Sequence, residues 1–254
     1  MPRPPAKHLD RILADWDFEP GQPQARRVTG SDGRELLQLR VDMGVLQLET
    51  VGRPDGEKPG GHATYYDFLV AAAFEEGDRF ELDEQRCLQI DREFYQYYHR
   101  RICWLALREF ERAAEDAEHT LRLMDFSSAN APVEEWAWMH EQYRPFVMFH
   151  RIQATALAQL EGADPEAANR AVRAIDLGLE ELAAVYDEQQ LDEGAESDAD
   201  DEAFVEKLRE MRNSITEHYE LTPSLADQLA EAIAAEQYER AAELRDRIAR
   251  RERK

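Results

Sequence analysis

The sequence predicts a mostly α-helical protein of stacked helical hairpins, with a small N-terminal antiparallel β-meander and a C-terminal helical hairpin (α+β overall). Three observations predict this fold class. Short runs of alternating apolar and polar residues, separated by turn residues, lie between about residues 24 and 51. Apolar residues then recur at helical spacing from about residue 63 to residue 190. The same helical spacing returns in the last thirty or so residues.

Composition limits the kinds of partner that the chain binds. The 254 residues include 54 acidic and 31 basic side chains, for a net charge of −23, and 43% of the residues are hydrophobic. Because a surface this acidic repels nucleic-acid phosphates and anionic lipid, we expect protein partners, no membrane and no direct nucleic-acid binding. The basic exception runs from Arg240 to Lys254, with seven basic and three acidic residues.

Sequence features that mark a cellular compartment point to the cytoplasm. No apolar run approaches the ~20 residues that a membrane span needs. The N-terminal residues MPRPPAKHLDRIL lack the apolar core of a signal peptide. Cys87 and Cys103 form no CxxC pair, so we expect two buried, reduced thiols and no structural zinc site.

Residues 1–62 are the first predicted unit, a helix followed by the β-meander. The helix is expected from His8 to Trp16, where apolar residues follow the i, i+3, i+4, i+7 pattern. The meander runs from about Gln24 to Val51, with reversals at residues 30–33 and 42–44. Its glycine clusters lack the strand–glycine–helix context of a phosphate-binding loop and are predicted to be turns. The alternating apolar residues of its strands are Leu37, Leu39, Val41, Leu46 and Leu48.

Residues 63–190 are predicted to form the helical body. Its first hairpin breaks near Arg108-Glu109, between a helix lined by aromatic and apolar residues and a helix lined by small alanines. This arrangement resembles a tetratricopeptide-type hairpin, although Arg101 stands where that family has a small residue. The lining residues are Tyr98, Ile102, Leu105 and Ala106 in the first helix, and Phe110, Ala113, Ala114, Ala117 and Leu121 in the second.

An internal repeat predicts a second hairpin. The segment Tyr95-x-x-Tyr98-His99-Arg100 recurs fifty-one residues later as Phe146-x-x-Phe149-His150-Arg151. Pro145 is expected to break the chain before this second helix, and EGADP (residues 161–165) to interrupt the next helical pair. We therefore predict at least two antiparallel helical hairpins, with Tyr98 and Phe149 buried.

The repeated histidines and arginines are the candidate groove residues of the body. His99, Arg100, His150 and Arg151 would line a groove for an acidic peptide or a phosphate if their helices meet. The alternative is structural, with each histidine half-buried beside a neighbouring carboxylate. The sequence contains no HExxH, nucleophile elbow or P-loop, so we predict no catalytic residue, no cofactor and no metal ligand.

Residues 191–222 are predicted to be an acidic flexible loop and a connecting helix. The stretch from Leu191 to Glu202 holds seven acidic residues and no basic one, so it repels itself and has nothing apolar to bury. A Ca²⁺ site is the alternative, although the spacing differs from that of an EF-hand loop. The connecting helix is expected from Ala203 to about Tyr219.

The last predicted unit, residues 223–254, is a helical hairpin. Thr222 and Pro223 give a strong helix start, and a tight turn is expected near Glu236-Gln237. About thirty residues bury a very small core, so such a hairpin gains by covering its apolar stripe with another hairpin or domain. A five-residue segment near this turn, Tyr238-Glu-Arg-Ala-Ala, almost repeats Phe110-Glu-Arg-Ala-Ala of the body.

The C-terminal pattern resembles the UVR motif of the excision-repair subunits UvrB and UvrC. Similar motifs occur in a regulatory partner of a protein-arginine kinase and in certain Clp-type chaperone ATPases. The resemblance covers about an eighth of the chain and implies a hairpin that pairs with another copy or with a partner protein. The implied partner-binding residues are Leu225, Leu229, Ala232, Ile233, Tyr238, Ala241, Ala242, Arg245, Asp246 and Ile248, and Glu239 and Leu244 also match.

The N-terminal region, with LQLRVDMGVLQLET and GRPDG, resembles an uncharacterised family of bacterial proteins, with planctomycetes as a candidate source. That resemblance implies no activity. Three hypotheses follow from the sequence. The first is a non-enzymatic adaptor that binds proteins through its body and hairpin. The second is an accessory factor of excision repair or of a Clp-type proteolysis machine, and the third is an enzyme that uses the histidine–arginine groove.

Overall fold

The computed structural model describes residues 9–14, 16–162, 164, 166–193, 199–221, 228, 229, 232, 233, 235 and 237–252. The strands are β1 (Gln24–Thr29), β2 (Glu35–Val41) and β3 (Gly44–Glu49). The helices are α1 (Asp10–Leu13), α2 (Tyr65–Glu76), α3 (Glu84–Ala106), α4 (Phe110–Ala129), α5 (Glu134–Glu141), α6 (Arg144–Leu160), α7 (Ala167–Glu193), α8 (Ala199–His218) and α9 (Tyr238–Glu252). The predicted fold class, mostly helical with an N-terminal antiparallel meander, is confirmed.

The meander is a three-stranded antiparallel sheet in the order β1-β2-β3. Val41 pairs with Gly44, so Asp42 and Met43 form a two-residue turn. At the other reversal, Gly33 has a φ of 85° and the Gly30 amide donates to the Arg34 carbonyl at 2.8 Å. Both predicted reversals are therefore confirmed. The N-terminal helix is shorter than the predicted His8–Trp16, and residues 8 and 15 lie outside the described part of the chain.

One face of the sheet shares a core with the helical body. Leu37, Leu39 and Leu48 pack in one cluster with Trp104 and Ala154. On the opposite face Leu36 and Gln38 are buried as well, so the strands are covered more fully than simple alternation predicts. Near this opposite face the segment after α1 contacts the sheet, since Arg26 stacks on the Trp16 ring and the Arg40 Nε donates to the Trp16 carbonyl.

The first hairpin of the body consists of α3 and α4. Arg108 adopts the left-handed conformation with a φ of 61°, and the Glu109 amide donates to the Trp104 carbonyl at 2.8 Å. This turn stops α3 and lets α4 begin at Phe110, which is buried. The predicted break near Arg108-Glu109 is confirmed.

Helices α4, α6, α7 and α8 stack in series around the largest core cluster. Pro145 lies in the first turn of α6, and α6 and α7 are separated at EGADP, as predicted. Where α6 meets α7, a Cβ added to Gly178 would lie 2.7 Å from the Ile152 Cδ1, so only glycine fits this approach. Leu208 and Ile215 are buried in the same cluster, which makes α8 part of the body core.

The burial predicted for the repeated aromatic residues is half right. Phe149 is buried, but Tyr98 is 39% exposed and the prediction for it is wrong. The buried stripe of α3 passes instead through Glu93, Tyr97, Arg100 and Trp104, one residue away from the apolar stripe that the sequence shows. Charged residues of α3 face inward, where groups from other parts of the body pair with them. The apolar stripe that the sequence shows is therefore rotated toward solvent.

The acidic loop predicted for residues 191–202 is shorter than expected. Leu191–Glu193 form the end of α7, and residues 199–202 belong to α8. Residues 194–198, the remainder of the predicted loop, lie outside the described residues, and the predicted mobility and the Ca²⁺ alternative stay untested there.

Candidate functional site

The C-terminal hairpin has a small core of its own. Ala232 on its first helix and Ala241 and Leu244 on α9 are buried together, and Leu229 packs against them. The Gln237 amide donates to the Ala232 carbonyl at 2.7 Å and closes the turn between the two helices. Small side chains at this seam let the helices approach closely, and the described members of this cluster all belong to the hairpin.

The residues predicted to bind a partner fall into two groups. Leu229, Ala232 and Ala241 line the seam inside the hairpin. The others point to solvent: Ile233 (55% exposed), Tyr238 (69% exposed), Ala242, Arg245 and Asp246. Leu225 lies outside the described residues, and of Ile248 only the backbone, within α9, is described.

The segment from Phe110 to Ala114 of the body is nearly identical to the segment from Tyr238 to Ala242 of α9. Comparison of the two segments shows which positions of α9 are exposed to solvent where the body buries them. Phe110 is 5% exposed, whereas Tyr238, which begins the matching segment, is 69% exposed. Ala113 and Ala241 are buried in both places. Seven residues after the aromatic position, Ala117 is buried, whereas Arg245 is exposed. The tail therefore buries one stripe of α9 and leaves the adjacent stripe of Tyr238, Ala242 and Arg245 open.

The body contains a buried polar network that the sequence reasoning missed. The Arg100 guanidinium donates through Nε and Nη2 to the Asp116 carboxylate at 2.9 and 2.7 Å, joining α3 to α4. Its Nη1 donates to the Gly52 carbonyl at 2.6 Å and so holds the segment after β3. Burial acts to lower the pKa of Arg100, but the hydrogen bonds and charge of Asp116 together outweigh it and raise this pKa above its ordinary value.

Glu93 is the centre of a second part of this network. Its carboxylate is fully buried and accepts hydrogen bonds from the amides of Tyr65 and Tyr66 at 2.7 and 3.0 Å, at the N-terminus of α2. His119 Nε2 lies 2.9 Å from the same carboxylate, and the Arg53 Nε lies 3.4 Å away. Glu93 thus caps one helix and balances the charge of the buried Arg53, which is a structural task.

Arg101 and His150 form the third part, between α3 and α6. The Arg101 Nε donates to the His150 Nδ1 at 3.2 Å, and its Nη1 donates to the Thr120 hydroxyl at 3.2 Å. Burial lowers the pKa of Arg101 to about 10. Burial, helped by the Arg101 charge, lowers the pKa of His150 to about 3, so this imidazole is neutral and accepts from the guanidinium.

The structure does not bring the four candidate groove residues together in one groove. Arg100 is buried against Asp116, and Arg151 lies near the surface beside Glu118 and Glu181. His99 is half-buried beside Tyr98, where burial lowers its pKa, and His150 is held by Arg101. No sequence signal marks the network, because Glu93 and Arg100 lie off the apolar stripe that the sequence of α3 shows.

A surface groove of about 700 Å³ opens beside Arg53, between the segment after β3 and the first turns of α2 and α3. Its lining mixes both signs of charge, with Arg53, Lys58 and Arg86 against Glu57 and Asp83. Arg53 is already surrounded by the carboxylates of Asp55, Glu57 and Glu93. The groove therefore offers no unbalanced charge for one class of ligand.

Metal and thiol chemistry have few candidates in the described part of the chain. Its His, Cys, Asp and Glu side chains form no group of three or more that could hold a metal ion. Cys87 and Cys103 are free and buried, as predicted, and burial raises the pKa of Cys103 to about 12. None of the helices that the structure describes is both long and apolar enough to cross a membrane.

Comparison with known families finds a match in the tail. Residues 220–253 match the family described as UVR: UvrB/uvrC motif. This span contains the two-helix seam of Ala232, Ala241 and Leu244. No curated protein and no solved structure matches the chain, so nothing here supports the bacterial family that its N-terminal region resembles.

Proposed function

We propose that the protein acts without catalysis, as an adaptor that binds a partner protein through its C-terminal hairpin. The observation that carries the proposal is the UVR motif at residues 220–253 together with the open stripe beside its seam. Ile233 and Tyr238 are more than half exposed, although both are apolar or aromatic. Tyrosine is among the residues that contribute most to protein interfaces, and a two-helix unit gains stability when a partner covers such a stripe.

The net charge of −23 favours a different protein over a second copy as the partner, because two copies repel each other at long range. The motif itself favours a partner with its own UVR-type hairpin. An accessory role in excision repair or in a Clp-type proteolysis machine is the finer form of this proposal. We place the function in the cytoplasm, whose reducing conditions keep thiols such as Cys87 and Cys103 unpaired.

Affinity capture with the full chain tests the proposal. The double variant Ile233→Asp, Tyr238→Asp places charges at two exposed positions of the hairpin and leaves the buried seam intact. We expect it to lose the captured partner, since a charge buried at an interface without a counter-charge is strongly unfavourable. The matched control, Met43→Asp with Val51→Asp, adds the same charge at two exposed positions outside the hairpin.

Identification of the captured protein by mass spectrometry then decides the pathway. A UVR-bearing repair subunit or a Clp-type ATPase supports the finer proposal. Capture that is equal for the wild type and the double variant contradicts binding through the hairpin. Light scattering on the purified chain tests self-association by measuring its molar mass in solution, and we expect the mass of a monomer at low salt.

A further inference from the structure

Helix α2 is apolar on both of its faces. Its inner face buries Tyr65, Leu69 and Ala72, which follow the i, i+4, i+7 spacing, against Leu82 and other core residues. The seven residues from Phe68 to Phe74 read FLVAAAF and include no polar side chain. A surface helix ordinarily carries polar residues on its outer face, and a helix that is apolar all round is ordinarily buried.

The outer face of α2 is nevertheless open. Phe74 is 90% exposed and Val70 is 43% exposed, and the two residues share one face of the helix with Ala71. An exposed phenylalanine beside small alanines presents a ring and a shallow recess, which suits packing against another helix. Isolated exposed apolar residues are common, but a contiguous apolar helix face in a soluble domain marks an interaction site.

Carboxylates surround this open face. Asp67, Glu75 and Asp78 are exposed at its edges, Arg79 is an exposed cation beside them, and Arg86 pairs with Glu76 at the end of the helix. The rim is therefore acidic in excess. A partner that fits it combines an apolar stripe, which covers Phe74 and Val70, with basic residues on the flanks of that stripe.

We propose that the outer face of α2 is a second docking surface, which binds a basic amphipathic helix of a partner protein. Pairing of the α2 faces of two copies is opposed by their two acidic rims and by the net charge of −23 on each copy. Anionic lipid is disfavoured by the same acidic rim. The residues of this docking surface belong to α2 and are distinct from those of the hairpin seam.

Fluorescence anisotropy on the full chain tests the proposal with model peptides. The first probe is a labelled amphipathic peptide with a leucine stripe and arginine flanks. The second is a scrambled peptide of the same composition, and the third keeps the leucine stripe but has glutamate flanks. We expect saturable binding of the first peptide alone. Equal binding of the scrambled peptide would show attraction by net charge only and would overturn the proposal.

Two pairs of variants locate the bound peptide. Phe74→Ala should weaken binding by about tenfold, as is typical of a truncated aromatic anchor, whereas Met43→Ala should leave it unchanged. Both side chains are about 90% exposed, so neither change removes core packing. If both variants bind as the wild type does, the α2 face is not the site.

The acidic rim has its own matched pair. Glu75→Gln with Asp78→Asn should weaken binding several-fold at low salt and less at high salt. Glu206→Gln with Glu210→Gln, at exposed positions of α8, changes the net charge equally and should have no effect. An equal loss in both double variants would assign the binding to the overall charge and contradict the proposal. Phe74-dependent binding to neutral phosphatidylcholine vesicles would replace the helical partner with a lipid surface.

Discussion

Arg100 and Asp116 face each other from α3 and α4 in a site that excludes water. Removing both charged groups from water is costly. Two hydrogen bonds between Arg100 and Asp116 offset that cost, together with the bonds that Arg100 donates to the backbone carbonyls of Glu49 and Gly52. Such a pair constrains which helix faces which, because an apolar substitute would tolerate a rotation of α3 that the guanidinium does not. The exposed Tyr98 and the buried Tyr97 follow directly from this constraint.

Asp116→Asn should lower the free energy of unfolding by about 3 kcal/mol, because it leaves the Arg100 guanidinium buried without a counter-charge. Urea denaturation at neutral pH measures the loss. The control is Glu115→Gln at the neighbouring exposed position, which changes the net charge equally and should cost less than about 0.5 kcal/mol. Equal effects of the two variants would show that the pair contributes nothing specific.

His150 should make the body acid-sensitive. Its pKa falls from an ordinary 6.5 to about 3 in the folded state, so between these values the unfolded chain binds a proton that the folded chain does not. Stability is therefore full above pH 6.5 and is lost as the pH falls toward 3, by about 2 kcal/mol at pH 5. Urea denaturation at pH 7 and pH 5 should show a smaller loss for His150→Asn than for the wild type. His218→Asn, at an exposed position, should keep the wild-type dependence.

The contact between α6 and α7 depends on one missing side chain. Gly178 lies in the middle of α7, where an alanine would ordinarily favour the helix. The Ile152 side chain of α6 occupies the space that the Cβ would need. Helix propensity is given up here so that two body helices can pack closely.

Gly178→Ala should lower the free energy of unfolding by about 1–3 kcal/mol, because overpacking outweighs the gain in helix propensity. Gly162→Ala is the control, since the nearest atom to its added Cβ is a carbonyl oxygen at 3.5 Å, an ordinary contact. In an Ile152→Ala background the Gly178→Ala change should cost nothing. A thermodynamic cycle in which the two changes simply add would contradict the close-packing account.

Periodicity could predict the hairpins, their breaks and the meander because each depends on residues near one another in the chain. The break at Arg108-Glu109 and the reversal at Asp42-Met43 are of this kind. The inward stripe of α3 could not be predicted in the same way. Glu93 and Arg100 face inward because groups outside α3 contact them, His119 and Arg53 at Glu93 and Asp116 at Arg100, and such pairing has no period.

The candidate hairpin was found from sequence because its pattern is short and local. The match at residues 220–253 and the buried Ala241 agree with it. The pattern did not predict which residues of the hairpin are exposed. Ala241 is buried and Ala242 is exposed, although both are alanines at adjacent positions. The open face of α2 was missed for a related reason, since an apolar run alone does not tell a buried helix from a half-covered one.

The body and the hairpin bury separate clusters, so their stabilities should be largely independent. Ala241→Glu places a carboxylate in the hairpin seam and should unfold the hairpin alone, while the main thermal transition of the body stays in place. Ala242→Glu, one residue further and exposed, should leave both folded. Circular dichroism melting of the two variants tests this. A lower body transition in Ala241→Glu would show that the hairpin braces the body.

The sheet shares its core with Trp104 and Ala154, so its apolar face cannot be covered until these later residues have been synthesised. Its strands leave the ribosome before the helices that cover them, since some of the residues that cover Leu37 and Leu48 are translated about a hundred positions later. At a translation rate of roughly 5–20 residues per second, the apolar face of the sheet stays exposed to solvent for ~5–20 s before the helices that cover it are synthesised. Nascent chains stalled before α4 should therefore be cut by protease within the strands, and chains stalled after α6 has emerged should resist.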